Sequence, residues 1–215
     1  MKLVIQLVLW VVIIFLGYLV FNAVYEPIQF NKLKEKRYAK VIERMQDIRA
    51  AQLAHREVTG KYAKDFDGLI QFVDTAEFVV VHRRDTTVMD EVYRKAYGVD
   101  KWMDIIITDT LGYSSVKDSI FKSDRYKQMR KVPVEGVDAE FEMDAGSIVK
   151  NNNTFPVFEV KVNKSVILHD QDKDLVLQEK QVMSVDGVNG EFIRVGSMED
   201  VNTSGNWPQL YGSIE

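Results

Sequence analysis

Cysteine is absent from all 215 residues. That excludes disulfides, thiolate-bound zinc or iron–sulfur centres, and a thiol nucleophile. Histidine is scarce, with only His55, His82 and His169. No G-x-S-x-G surrounds a serine, and no phosphate-binding or dinucleotide-binding glycine motif occurs. A Ser-His-acid triad or a nucleotide-dependent reaction therefore has no sequence foundation. Carboxylate pairs are no guide, because 32 acidic residues offer too many chance partners. An excess of basic charge is also missing. The formal net charge is −4, which creates no field suited to nucleic acid. Low-complexity tracts are absent, so the composition is that of a globular chain.

What is present begins with a run free of formal charge, residues 3–24, LVIQLVLWVVIIFLGYLVFNAV. A helix of this length covers about 30 Å, the thickness of a bilayer's hydrocarbon. Leu3, Trp10, Tyr18 and Val24 belong to this anchor, with Tyr25 where an interfacial aromatic sits. A cleavable signal peptide is the competing reading. The run is too long for one, and no small-x-small site follows it. Beyond the run come Lys32, Lys34, Lys36, Arg37 and Lys40. Counting positive flanks would place the following domain in the cytoplasm.

Glu26-Pro27 predicts a break or kink. Residues 31–58 then read as an amphipathic stalk helix. Tyr38, Val41, Ile42, Met45 and Ile48 recur at spacings of three and four, and Gly60 stands as its cap. A turn and short helix follow from Asp65 to Ile70. Residues 77–83 and 104–108 read as strands, residues 86–97 as helix or loop, and the basic stretch 125–131 around Tyr126 as a solvated loop. After Pro133, strands are predicted at residues 139–143, 155–162, 165–168, 175–177, 181–185 and 191–195. The tip of one connection falls at residues 151–153. The expected fold class is α+β: an N-terminal transmembrane helix continuing into an amphipathic stalk helix packed on an antiparallel β-sheet. The expected segments are an anchor (1–25), a stalk and turn (26–73), a mixed α/β stretch (74–132) and a β-rich region (133–215).

The order of apolar helix, proline, basic stretch and amphipathic helix, followed by Ile48-Arg49-Ala50-Ala51-Gln52-Leu53-Ala54-His55-Arg56-Glu57-Val58-Thr59-Gly60-Lys61-Tyr62, Phe66 and Gly68-Leu69-Ile70, resembles type IV pilin-like proteins. The resemblance is to the major pseudopilins of type II secretion above all, and it covers residues 3–73. It implies a single-pass bacterial inner-membrane protein with a periplasmic domain, opposing the charge count. It also implies a non-catalytic structural role in a secretion or filament-like complex. The expected partners are membrane lipid and other envelope proteins or copies of itself, with no nucleic acid. No leader glycine precedes Leu3, Trp10 or its neighbours stand where the helix glutamate of pilins falls, and Ala63 replaces the usual proline. The expectation is a pilin-shaped protein that stays in the membrane without processing or polymerisation.

The stripe Val41, Met45, Ile48 and Gln52 is the expected partner-binding surface, as a helix laid in a groove. No cofactor is expected. The one metal reading is calcium at Asp170, Asp172 and Asp174, since some pseudopilins hold calcium in a C-terminal loop. An EF-hand counted from Asp170 fails at its sixth and twelfth positions, Leu175 and Gln181, so a polar hairpin turn is the preferred account. Two further function classes stand beside assembly. One is a membrane-tethered module whose loops around Trp207 hold a peptide or glycan. The other is a cytoplasm-facing adaptor, supported by the basic flank.

Overall fold

The apolar run and the stalk form one uninterrupted helix, α1 (Lys2–Thr59), in the computed structural model, which describes residues 2–208 and Tyr211. Met1, residues 209–210 and residues 212–215, at the ends of the first and last expected segments, lie outside the described residues. Its 58 residues extend about 87 Å. Pro27 sits inside it, so the expected break is corrected. Proline costs a helix one hydrogen bond and some crowding. Long apolar and amphipathic sequence on both sides outweighs that loss. The helix stops at Gly60, whose φ of +78° suits glycine and whose N–H reaches the Arg56 carbonyl at 2.8 Å. Asp65 then caps α2 (Phe66–Thr75) by accepting from the Gly68 N–H at 2.7 Å.

The membrane-distal half of α1 packs as its spacing dictates. Tyr38, Val41, Ile42, Met45, Ile48, Ala51 and Ala54 face the core. Opposite them lies an antiparallel sheet of three strands, β3 (Glu142–Lys150), β4 (Asn153–Asn163) and β5 (Phe192–Gly196), in that spatial order. Alternation sets its two faces. Ala145, Phe158, Val160, Val162, Ile193 and Val195 are buried. On the other face Lys161 lies between Glu142 and Glu159, and Arg194 also meets Glu159. The β3–β4 turn falls at Asn151 and Asn152, both at positive φ, as a tight hairpin requires. The chain is thus α+β, with a long N-terminal apolar helix and antiparallel sheets.

A second antiparallel pair, β1 (Glu77–Met89) and β2 (Trp102–Ser115), forms a separate ribbon. It is longer than the strands expected at residues 77–83 and 104–108. Its tip carries α3 (Glu91–Tyr97), capped by Asp90 and ended by Gly98 at φ +70°. So residues 86–97 divide between strand and helix. Beyond the ribbon come α4 (Val116–Ile120) and a 3-10 turn (Asp124–Gln128).

Two expected strands are helices instead. Residues 165–168 fall in and just after α5 (Lys164–Ile167), and residues 175–177 fall in α6 (Lys173–Lys180). Polar caps decided both. The Asn163 side chain accepts from the Ser165 N–H, and Asp172 accepts from the N–H groups of Asp174 and Leu175. Residues 181–185 form no strand. The basic stretch is likewise not a free loop. Tyr126 and Met129 are buried, while Arg125 reaches Asp47 at 2.8 Å and Arg130 reaches Asp67 at 3.2 Å.

Candidate functional site

The first candidate is the membrane-proximal half of α1. Leu3, Trp10, Tyr18, Val24 and Tyr25 are all exposed, from 46% upward among the large apolar side chains of that stretch. Fully burying one such side chain is worth about 1.5–3 kcal/mol, so leaving the whole run in water would cost on the order of tens of kcal/mol. One helix of this chain is therefore long and apolar enough to cross a membrane, and none of its apolar window is covered by the rest of the fold.

The predicted docking stripe is placed differently. Val41, Met45, Ile48 and Gln52 have no exposed surface at all. They cover the chain's own sheet and leave nothing for a partner, which corrects their assignment as a partner-binding face. Gln52 has a specific task. Its amide donates to the Ala63 carbonyl and accepts from the Ala63 N–H, each at 2.9 Å, mimicking a strand pair. This ties the end of the stalk to the loop entering α2.

The three aspartates of the calcium reading are occupied separately. Asp170 receives two hydrogen bonds from Arg37, at 2.6 and 2.7 Å. That bidentate bond holds its carboxyl far below the usual carboxylate range. Asp172 caps α6, and Asp174 lies in its first turn. Among the described residues no group of three or more His, Cys, Asp or Glu side chains converges as metal ligands would. These residues make a turn and a capped helix, where the sequence led to the expectation of a polar hairpin turn.

Trp207 is half-buried against the core, and its ring lies over Gly205 so closely that a Cβ there would sit 2.3 Å from it. The neighbouring Asn206 pins this C-terminal segment onto β5. Its side chain accepts from the Arg194 N–H at 3.0 Å and donates to the Phe192 carbonyl at 2.8 Å. His55 contacts the Lys61 carbonyl and the Thr59 hydroxyl and packs on Phe72. His82 lies on the ribbon, and His169 lies beside Gly136. The three imidazoles sit on different elements.

Sequence reasoning missed a buried ionic node. Lys164, with no exposed surface, donates to the carbonyls of Glu179 and Val188 at 2.7 Å and to Glu179 Oε1 at 3.2 Å. Glu179 also receives Lys34 at 2.9 Å and the Tyr38 hydroxyl at 3.3 Å. Burial pulls the Lys164 ammonium down, and Glu179 opposes that pull. Burial first, then the Glu179 charge, pushes the Tyr38 phenol far up. All three N–H donors of Lys164 are used, which suits a structural tie and leaves no free amine for a nucleophile. The node binds α1 to α5 and α6 across separations above one hundred residues, and no local spacing could have announced it.

The fold and these surfaces define a general class: a pilin-like shape, with a long apolar N-terminal helix whose far half lies on an antiparallel sheet. No protein-family model, no curated protein and no solved structure matches this chain.

Proposed function

We propose that this chain is a non-catalytic, single-pass envelope protein of the bacterial inner membrane. Its domain stands on the periplasmic side, and it serves as a structural or assembly component of a secretion or filament-like complex. The observation that carries this reading is the division of α1. One half is bare and apolar, and the other is welded to the sheet, so bilayer and domain are joined by one continuous rod. Such a rod fixes the height of the domain above the lipid, which suits a scaffold. Asp170 is held by Arg37, Asp172 caps α6, Gln52 ties the stalk to its loop and Lys164 is fully engaged with Glu179 and Val188. The pseudopilin resemblance of residues 3–73 supplies the kind of complex.

The periplasmic side opposes the positive-flank count. Of the five cations in that flank, Lys34 and Arg37 are folded into pairs with Glu179 and Asp170. Orientation is tested by placing a cysteine at Met183, 92% exposed, in this cysteine-free chain. Asn152 is a poorer position, because its positive φ penalises cysteine. A membrane-impermeant maleimide should label Met183→Cys in cells with only the outer membrane opened. Labelling confined to fully lysed cells would overturn the periplasmic placement in favour of a cytoplasmic adaptor. The assembly role is tested by the mass of the tagged protein in mild detergent. A chain recovered only as a bare monomer would sink it.

A further inference from the structure

The β1–β2 ribbon is an unusual element to leave bare. A two-stranded hairpin is marginal by itself in water. Among the described residues this one pairs with no third strand, so both outer edges present unpaired backbone groups. Edges are normally blunted by charged side chains, proline or bulges. Neither lysine nor proline occurs in β1, EFVVVHRRDTTVM, or in β2, WMDIIITDTLGYSS. The charges of β1 are of both signs, and the ribbon's irregularity beside Val80 and Val81 puts its extra residue, Leu111, on β2 and leaves the β1 edge regular. Val79, Val80 and Val81 are 54%, 42% and 40% exposed, and Ile106 and Tyr113 more so.

Lipid cannot cover the strands along their length. The base of the ribbon shares a crevice with Glu57 and Val58 at the far end of α1, about 50 Å along the helix from Val24. A strand of 13 residues spans about 44 Å, short of that distance even if it folded straight back.

The sequence of β1 points to the occupant. Its two apolar ends, Val79 to Val81 and Val88 to Met89, flank a polar centre of His82, Arg83, Arg84, Asp85, Thr86 and Thr87. We propose that the outer edge of β1 pairs antiparallel with the same edge of a second copy of this chain, about a two-fold axis at Arg84, joining two hairpins into one four-stranded sheet. The proposal deepens the assembly reading, on which it rests, by naming a partner and a surface.

The register follows from symmetry and charge. A two-fold axis that pairs identical antiparallel strands stands perpendicular to the sheet and preserves its faces, so it passes through a residue. With the axis at Arg84, Arg83 of each copy stands opposite Asp85 of the other, on one face. Val79 meets Met89 on that face, and Val80 meets Val88 on the other. Arg83 and Asp85 make no ion pair within the chain among the described residues. The two Arg84 side chains meet at the axis, but each already has its own Asp109 at 3.7 Å on the same face. An axis at Asp85 would set that carboxylate against its own copy instead. The β2 edge is a poorer self-partner, because it carries Asp104 and Asp109 with no basic residue. The overlap of residues 79–89 would form about ten new backbone hydrogen bonds. With the two-fold axis along the membrane normal, the direction that keeps both domains on one side, anchoring both copies in one membrane raises their effective concentration.

The test uses the full-length chain in its own membranes. Arg84→Cys should give a disulfide-linked dimer under mild oxidation. Thr87→Cys should not, because its counterpart lies about 20 Å away across the axis. In mild detergent, Arg83→Asp should lower the dimer fraction by about tenfold, since it sets like charges opposite one another. The double variant Arg83→Asp with Asp85→Arg should restore it. These side chains are exposed, so circular dichroism should be unchanged in every variant. Equal cross-linking at positions 84 and 87, or indifference to the single charge reversal, would overturn the proposal. So would masses that climb in an open series, which would indicate β1 pairing with β2 of the next copy. If other envelope proteins still co-purify while Arg84→Cys stays uncross-linked, the two-fold pairing fails and the assembly role stands. If the chain is a bare monomer throughout, both fail.

Discussion

At the scale of single residues, the fold is held by a few side chains that satisfy buried polar groups across long separations. Lys164 is the clearest. Replacing it with Met would leave the Glu179 and Val188 carbonyls without their donor and strip a cation from Glu179. Breaking a buried pair from one side costs about 3–5 kcal/mol. Lys164→Met is therefore expected to lower stability by that amount, read by chemical denaturation in detergent. Adding Glu179→Leu should cost less than the sum of the two single changes, because the orphaned charge is then gone. Asp170 gives a pH signature. The hydrogen bonds from Arg37 hold its folded-state pKa below the ordinary 3.8. As pH falls below about 4, the unfolded chain takes up this proton first. The stabilisation, full above that pH, drains away as pH drops towards the folded-state value. The carboxylate is 45% exposed, so the pair is worth only about 0.5–1 kcal/mol. Asp170→Asn should lose that much at neutral pH and show a flatter acid-unfolding profile.

At the scale of elements, α1 shows how length overrides a local breaker. Pro27 forbids one hydrogen bond but sits between two stretches that each favour helix. Pro27→Ala should leave the domain intact and stiffen the rod, raising helix stability by up to about 3 kcal/mol. Helical circular dichroism and thermal melting would register it. A loss of stability would mean that the proline ring itself is required at this position. The short apolar stretches at 165–168 and 175–177 teach the complementary lesson. Runs of three or four apolar residues fit strand and helix equally. Here Asn163 and Asp172, each capping the N–H groups that follow, tipped them to helix. That signal was legible and should have outweighed the apolar runs.

At the scale of the whole molecule, the core starts at Phe30 and owes nothing to the apolar run before it. A chain beginning at residue 29 is expected to be soluble without detergent and to keep the circular dichroism of the domain. The full-length protein should resist extraction by alkaline carbonate. A truncated chain that aggregates or unfolds would show that the membrane-proximal half stabilises the domain as well as anchoring it.

What the sequence determined by itself is local and periodic. The uncharged run at residues 3–24, the three-and-four spacing from Tyr38 to Ile48, the stop at Gly60 and the alternation of β4 are all written within a few residues. Each property depends only on neighbours along one element. The tertiary structure alone decided what those surfaces meet. It turned Val41, Met45, Ile48 and Gln52 from a docking stripe into core and paired Asp170 with the distant Arg37. It also joined Tyr38 to Glu179 and left the β1 edge open. Such outcomes depend on packing between residues far apart in the chain, where burial and charge pairing are settled by which faces compete for the same partner.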